Sequence, residues 1–256
     1  MCRMLAKVSV LPTGIMEELE QCPNSLLWLS ENGRTSKDPD VRGQHNDGCG
    51  MAYIDKNGSL RSTRHGKTDF WNNEYREFAT AAQSKIYIAH NRFASEGLEL
   101  STKAAHPFIY EKFSKKLAFC HNGSVYSLME AARAKNTSDS EILLENILEK
   151  VNEINVSSLA GSISEIAVTA DYNSLTGFLL SSDELYIWRI FNEKRIGEFD
   201  KLSRYFTLYL SIRQNDVIIA SEPLDNGSWQ LLPNYKMLSI KPAEQNIEMR
   251  LVDLTH

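Results

Sequence analysis

Strand-forming sequence occupies both ends of this 256-residue chain, while most of the segments with a helical period lie between them. Arg3–Val10 predicts a strand that begins almost at the first residue, and six more strands are predicted after residue 174. From residue 69 to residue 170 the pattern predicts four helices and two short strands. Helices grouped apart from most of the strands are typical of an α+β protein rather than of a doubly wound parallel sheet. The sequence therefore predicts an α+β sandwich.

Turn and capping signals set the bounds of several predicted elements. Lys56-Asn57-Gly58 predicts a hairpin turn, and Ser138 to Glu141 has the S-x-x-E pattern that opens a helix. The stretch from Glu31 to Gly48 has one aliphatic residue and predicts a long loop, which inside a compact domain is more often functional than accidental. The other predicted elements are the helices Asn24–Ser30, Asp69–Gln83, Ser124–Ala134 and Val156–Ala170 and the strands Cys49–Asp55, Ser59–Arg64, Lys85–His90, Lys116–His121, Leu175–Leu180, Leu185–Phe191, Tyr205–Ile212, Asp216–Ala220, Lys236–Lys241 and Ile247–Val252.

Composition excludes several classes of protein. The chain has 28 Lys plus Arg against 33 Asp plus Glu, and a net charge of −5 without basic clusters argues against nucleic-acid binding. The apolar runs are far too short to cross a membrane, and no signal-peptide core is present. Four cysteines in a chain of this length do not make a disulfide framework. We therefore expect a reduced, cytoplasmic protein that binds neither nucleic acid nor membranes.

Cys2 is the first candidate catalytic residue. If Met1 is removed, Cys2 carries both a thiol and a free α-amine, and an α-amine that titrates at about pH 8 is able to act as a base near neutrality. One residue would then supply the nucleophile and its base. A cysteine at position 2 is weak evidence by itself, and incidental occurrence is the alternative.

Three polar segments near the ends of predicted elements are further candidates. Arg92 is suited to bind both oxygens of a carboxylate, or else to form an ordinary surface ion pair. Asn122 and Gly123 offer two donors suited to an oxyanion, although Asn-Gly is also the commonest tight-turn dipeptide. Asp139 is either a ligand for an ammonium group or a first-turn acid that the helix dipole favours. No single segment decides between these alternatives.

The histidines and the remaining cysteines predict no metal site, and no cofactor is predicted. His90, His106 and His121 are about fifteen residues apart and form no H-x-H or H-x-x-x-H pair. His90 is interpreted as a hydrogen-bonded core residue rather than a catalyst. No glycine-rich phosphate loop occurs, and the cysteines interpreted as small apolar residues are Cys22, Cys49 and Cys120.

In their order along the chain, these segments resemble the class-II glutamine amidotransferases, which are N-terminal-nucleophile hydrolases. Asp47 to Tyr53 is similar to the family's D-G-W-G-I-A-Y strand, with Cys49 in place of the tryptophan. Ala220 to Leu224, followed by Trp229, matches the closing strands of the stand-alone members. The other matching segments are Cys2-Arg3-Met4-Leu5, the H-x-R-x-A-x-x-G segment from His90, His106-Pro107-Phe108, His121-Asn122-Gly123 and Ser138-Asp139-Ser140-Glu141. The resemblance covers roughly the whole chain and implies one domain over residues 1–256, folded as a four-layer αββα sandwich.

The resemblance also implies a role for each matching residue. Cys2 would attack the side-chain amide of the substrate, with its own amine relaying the proton. Asn122 and the backbone N–H of Gly123 would stabilise the oxyanion, while Arg92 would bind the α-carboxylate and Asp139 the α-ammonium. One fixed cation and one fixed anion also match the two charges of a γ-glutamyl group. The residues that would line the rest of the pocket are Phe93, Ser95 and His106.

The activity implied is hydrolysis of glutamine to glutamate and ammonia through a γ-glutamyl thioester, without a cofactor. Because the sequence leaves no residues for a second catalytic domain, we expect the ammonia to pass to a separate acceptor or synthetase protein, or to go free. Hydrolysis of a γ-glutamyl bond in a larger thiol or amine compound is the alternative. A non-catalytic binding or regulatory module is a third hypothesis, and retention of Met1 would favour it.

Overall fold

Two antiparallel sheets form the centre of the computed structural model, which describes residues 2–94, 100–195 and 198–254. Within these residues the strands are β1 (Arg3–Thr13), β2 (Gly33–Arg34), β3 (Arg42–Gly43), β4 (Gly48–Ile54), β5 (Leu60–Gly66), β6 (Ser84–Arg92), β7 (Phe108–Lys112), β8 (Lys115–Asn122), β9 (Thr176–Leu180), β10 (Leu185–Arg189), β11 (Tyr209–Ile212), β12 (Asp216–Ala220), β13 (Gln230–Leu231), β14 (Lys236–Pro242) and β15 (Ile247–Asp253). The α-helices are α1 (Leu26–Asn32), α2 (Asn73–Ala81), α3 (Met129–Lys135), α4 (Asp139–Glu149), α5 (Val156–Thr169) and α6 (Phe199–Tyr205). Shorter helical turns cover Glu17–Gln21, Lys67–Asp69, Thr102–Ala104 and Tyr126–Leu128.

The first strand of the chain lies in the interior of the larger sheet. This sheet has seven strands in the order β13-β11-β12-β1-β6-β4-β5, and the smaller sheet has six in the order β15-β14-β10-β9-β8-β7. β1 pairs with β6 on one side and with β12 on the other. The beginning of the chain is therefore held between a strand from its middle and a strand from its last third.

The alternation of side chains along each strand divides the apolar residues into three layers. In β1, Met4 and Ala6 pack between the two sheets, whereas Leu5 faces α1 and α2 on the outer side of the larger sheet. In β8, Cys120 lies between the sheets and Phe119 faces α4 and α5. The order helices, sheet, sheet, helices confirms the predicted α+β fold with four αββα layers.

The prediction of a strand over Tyr205–Ile212 is wrong at its beginning. Residues up to Tyr205 form α6, and β11 begins only at Tyr209. Tyr205 and Phe206 are fully buried in a small cluster with Phe191 and Leu202. Aromatic residues favour strands in general, but here tertiary packing outweighs that preference.

The sequence also gave no indication of β7, which forms a hairpin with β8. The two-residue turn between them has Phe113 at φ 53° and Ser114 at φ 58°. Such a turn normally carries Asn-Gly, because most residues adopt positive φ at a cost. The absence of that dipeptide hides the hairpin in the sequence.

Other predicted bounds need smaller corrections. The long loop from Glu31 to Gly48 contains one short ribbon in which β2 pairs with β3. The helix predicted from Asp69 begins only at Asn73, where the Asn72 side chain caps it. The helix predicted from Ser124 begins at Met129, after a 3₁₀ turn. In the part of the chain that is described, no helix has both the length and the apolar character needed to cross a membrane.

Candidate active site

Cys2 lies immediately before β1, and its side chain is buried with 6% exposure. By the alternation along the strand it shares the inner face with Met4, so its thiol points into the layer between the two sheets. Its own nitrogen is here part of the peptide bond to Met1, and it stands for the α-amine that removal of Met1 would create. The nucleophile and its neighbouring nitrogen are thus enclosed at one end of the intersheet layer.

A buried ion pair holds the beginning of the chain in place. Arg3 is completely buried, its Nε lies 3.0 Å from Glu222 Oε1, and its Nη1 donates to the Cys2 carbonyl at 3.0 Å. The adjacent Ser221 hydroxyl accepts a hydrogen bond from the Met4 N–H at 2.9 Å. The Ala220 to Leu224 motif therefore helps to fix the backbone that directly follows the candidate nucleophile.

Asn122 ends β8 in the opposite sheet and faces Cys2. Its Oδ1 accepts a hydrogen bond from the Cys2 nitrogen at 2.9 Å. Its Nδ2 is buried and has no hydrogen-bond partner among the described residues. An orphaned buried amide donor is costly, and a ligand oxygen would satisfy it. Asn122 is the last residue of β8, so it lies at a strand end rather than in a tight turn.

Gly123 follows at a point of close backbone contact. A Cβ on this residue would lie 2.0 Å from the carbonyl oxygen of Ser174, far inside van der Waals contact. Only glycine fits there without displacing the segment that precedes β9. The Asn122-Gly123 pair is thus held rigidly beside Cys2.

His90 changes the electrostatics of the Cys2 thiol. It pairs with Met4 across β1 and β6, it is fully buried, and its Nε2 lies 3.3 Å from the His121 carbonyl oxygen. Because a carbonyl oxygen only accepts, Nε2 is the donor in that contact, and the buried Nδ1 has no hydrogen-bond partner among the described residues. Burial by itself raises the pKa of the Cys2 thiol, but the neighbouring His90, the positive charge of the chain's terminal amine and a backbone hydrogen bond from Phe93 outweigh it and lower the pKa to about 6.

The other two histidines are held neutral by their surroundings. His106 packs against His90 with ring centroids 4.2 Å apart, and burial together with neighbouring histidines and arginines lowers its pKa well below the usual value. His121 faces α4, where its Nδ1 lies 2.8 Å from the Ser140 hydroxyl. Burial also lowers the pKa of His121, against the opposing effect of Asp139. Two neutral imidazoles therefore border the site.

The side chains predicted to bind a γ-glutamyl group line one small cavity with Cys2. Arg92, Phe93, His106 and Asp139 all border this cavity, whose volume of about 40 Å³ has room for a water molecule. Asp139 Oδ2 accepts a hydrogen bond from the Val125 N–H at 2.7 Å, which orients its carboxylate. The structure thus brings together one cation and one anion around the thiol.

Asp47 anchors the segment that follows Arg92. Its Oδ2 accepts from the Ala94 N–H at 2.9 Å, and its Oδ1 accepts from Lys67 Nζ at 2.9 Å. This places the Phe93 backbone close to the Cys2 thiol. Ser95, the remaining predicted pocket residue, lies outside the described residues.

His90 was interpreted from the sequence as a core residue rather than a catalyst, and the structure has it beside the Cys2 thiol. It lies two positions before Arg92 on the same strand, so the two side chains share one face, and that spacing is a signal that the sequence offered. Within residues 2–94, 100–195 and 198–254, no group of three or more metal-ligating side chains is close enough to hold a metal ion.

The comparison with known families gives the family of the chain. Residues 33–250 match the family described as glutamine amidotransferases class-II. The chain belongs to this family. The matched part covers most of the chain, including β4, β6, β8 and the Ser221-Glu222 segment that surround Cys2.

Individual proteins are similar to this chain in sequence or in fold. The chain is 24% identical over 247 residues to the gamma-glutamyl-hercynylcysteine sulfoxide hydrolase of Mycolicibacterium smegmatis, covering 95% of this chain and 97% of that one. It is 27% identical over 198 residues to an uncharacterized protein of Methanocaldococcus jannaschii, covering 68% of this chain and 56% of that one. Glutamine phosphoribosylpyrophosphate amidotransferase from B. subtilis has a similar fold, with a TM-score of 0.61 at 15% identity, covering 99% of this chain and 49% of that one. The chain thus spans only about half the length of the last two proteins.

Proposed function

We propose that this protein hydrolyses a γ-glutamyl amide, with Cys2 as the nucleophile after removal of Met1. The observation that carries the proposal is the contact of Asn122 with Cys2. One atom of the Asn122 amide accepts from the Cys2 nitrogen at 2.9 Å, while the other is a buried donor without a partner among the described residues. The oxyanion that forms on the carbonyl oxygen when the Cys2 sulfur attacks the carbonyl carbon would supply that partner.

The first step is attack of the Cys2 sulfur on the γ-carbonyl carbon. The thiol proton passes to the α-amine of Cys2, and the His90 imidazole next to the sulfur stabilises the thiolate. The tetrahedral oxyanion accepts hydrogen bonds from Asn122 Nδ2 and from the Gly123 N–H. Collapse breaks the C–N bond, and the amine leaves with the proton held on Cys2.

The second step removes the acyl group from the enzyme. A water molecule attacks the thioester carbonyl, its proton passes to the Cys2 amine, and the same two donors stabilise the second oxyanion. Glutamate leaves and the thiol is regenerated. Throughout, Arg92 would bind the α-carboxylate and Asp139 the α-ammonium, which keeps the γ-carbon fixed near the sulfur.

Two substrates are compatible with this chemistry. Glutamine would give glutamate and ammonia, which would pass to an acceptor or synthetase protein or go free. The similarity to the hydrolase from Mycolicibacterium smegmatis, which extends over nearly the whole length of both proteins, favours a larger γ-glutamyl compound as the substrate. The single-domain organisation over residues 1–256 belongs to the same proposal.

The test is glutamate release from glutamine and from a panel of γ-glutamyl amides. Wild-type protein should turn over at least one of them and should accumulate a γ-glutamyl adduct on Cys2 that mass spectrometry of rapidly quenched samples detects. Cys2→Ala should abolish turnover but still bind the substrate, whereas the matched control Cys22→Ala should keep full activity, because Cys22 lies away from the cavity. Binding without turnover in the wild type would support a regulatory module instead.

Intact-mass measurement of the active protein tests the processing step. The active species should lack one methionine, because the base in both steps is the amine of Cys2. Full activity in protein that retains Met1 would rule out the amine as the base.

A further inference from the structure

We propose that the cavity beside the Cys2 site binds an acidic group on the amine portion of the substrate. This inference rests on the proposed function and narrows it to γ-glutamyl amides whose leaving amine carries a carboxylate or a comparable anion. Glutamine itself lacks such a group, since its leaving group is ammonia.

The cavity is large and borders the site. It has a volume of about 690 Å³, which is within the range of small-molecule binding sites. Arg92, Ala104 and Ser138 line both this cavity and the small one at Cys2. A γ-glutamyl group held at Cys2 therefore has space next to it for a substantial leaving group.

The walls of this cavity carry more positive than negative charge. Among the described residues that line it, the cationic side chains outnumber the two acids Glu141 and Glu145. Glu145 is already paired with Lys135 at 2.6 Å, and Glu141 accepts a hydrogen bond from the Thr137 hydroxyl. The cationic side chains are Arg64, Arg92, Lys103, Arg133 and Lys135.

Arg64 is the cation in this cavity with the most to gain from a ligand. It is partly buried on β5, its Nη1 donates to the Ala105 carbonyl at 3.3 Å, and burial lowers the pKa of its guanidinium against the opposing effect of Glu141. No ion pair between described residues involves Arg64, Lys103 or Arg133. Partial removal of a guanidinium from water without a direct ion pair is unfavourable, and an anionic ligand would offset that cost.

The two cavities together offer a separate binding group for each charge of such a substrate. The α-carboxylate and α-ammonium use Arg92 and Asp139 at the small cavity, so the additional cations are left for a group beyond the scissile bond. Arg133 and Lys103 are exposed at the rim, where they attract anions from solution, and Arg64 lies deeper. The structure thus favours an acidic leaving amine over a neutral one.

The decisive experiment compares two substrates of nearly equal size, γ-glutamylglycine and γ-glutamylglycinamide, which differ in one negative charge. The kcat/KM for γ-glutamylglycine should be higher by about tenfold or more, the effect of one charge-assisted hydrogen bond. The Arg64→Gln variant and the Lys103→Gln/Arg133→Gln double variant should each reduce this ratio. The double variant alters exposed residues only, so its folding is not at risk.

The control is Lys116→Gln, which removes an exposed lysine outside the cavity and should leave the ratio unchanged. Equal rates for the two substrates, or a ratio that the cavity variants do not move, would overturn this inference while glutamate release still supported the proposed function. If no γ-glutamyl amide or glutamine were hydrolysed, the proposed function and this inference would both be wrong.

Discussion

The substitution Asn122→Asp separates the two functions that the structure gives to the Asn122 side chain. The aspartate keeps an oxygen that accepts from the Cys2 nitrogen, a bond of 2.9 Å in the native protein. It removes the Nδ2 donor, which is buried without a partner among the described residues. The two side chains have nearly the same shape, but the aspartate also adds a negative charge, so the uncharged Asn122→Ala variant is needed beside it to assign the loss to the donor.

The expected loss can be estimated from this geometry. If Nδ2 donates to the oxyanion, its removal should lower kcat by about 10²–10³-fold, or roughly 3–4 kcal/mol, as for other oxyanion donors. KM should change little, because the bond forms mainly in the transition state. Asn122→Ala, which removes the acceptor as well, should be as inactive and should lose about 1 kcal/mol of stability with the bond to the Cys2 nitrogen.

The assay is steady-state glutamate release with a melting curve for each variant. Asn122→Gly serves as the third variant, because a tight turn would accept glycine and recover activity. An Asn122→Asp protein with near-native kcat would show that the residue acts only by holding the Cys2 nitrogen. Recovery of activity in Asn122→Gly would instead show that it acts only through the backbone.

Three further predictions concern the Cys2 thiol, the ion pairs of Glu222 and the Arg92 side chain. The rate of Cys2 alkylation should rise with pH through a midpoint at about 6 and level off above it. His90→Gln should move this midpoint upward, because burial without the histidine raises the pKa of the Cys2 thiol. An unmoved midpoint would contradict the contact between His90 and the thiol. Cys22 and Cys49, whose pKa values burial raises to about 11 and about 12, should stay unreactive in the same assay. Glu222→Gln should lower the free energy of unfolding, measured in urea, by about 3–5 kcal/mol because it leaves the buried Arg3 unpaired. Arg42→Gln, which removes a half-exposed partner of Glu222, should lower it by less than about 1 kcal/mol. Equal losses in the two variants would refute the distinction. Arg92→Lys should raise KM for the γ-glutamyl substrate by about tenfold or more, since a single ammonium cannot reproduce a bidentate guanidinium contact, and a near-native KM would make the carboxylate assignment wrong.

Local sequence was sufficient for most strands, because their signal is a property of each segment alone. The strands predicted over Arg3–Val10 and Lys116–His121 are present in the structure as β1 (Arg3–Thr13) and β8 (Lys115–Asn122). Local sequence was insufficient where residues adopt a backbone conformation or an element that their type does not usually favour. The Phe113-Ser114 turn adopts positive φ without glycine or asparagine, and Tyr205 ends a helix because its ring is buried in a small aromatic cluster.

The arrangement around Cys2 depends on pairing between distant segments, which no local pattern encodes. His90 has the sequence environment of an ordinary core histidine, and it is fully buried as such a residue would be. Its contact with the thiol follows from the register that pairs it with Met4 across β1 and β6. The interpretation as a core residue was therefore incomplete, since the same burial that satisfies the core also brings the imidazole next to the nucleophile.

The interior position of β1 explains why the family motifs lie at both ends of the sequence. A chain terminus usually frays, yet Cys2 must keep its sulfur fixed relative to donors on the opposite sheet. Here β12 pairs with β1 on one side, and the residues after β12 complete the attachment through Ser221 to the Met4 N–H and through Glu222 to Arg3. Arg3 in turn donates to the Cys2 carbonyl. The closing motif of the chain thus acts on the first residue of the proposed mature protein, so substitutions more than 200 positions from Cys2 in sequence should affect the geometry of the nucleophile directly.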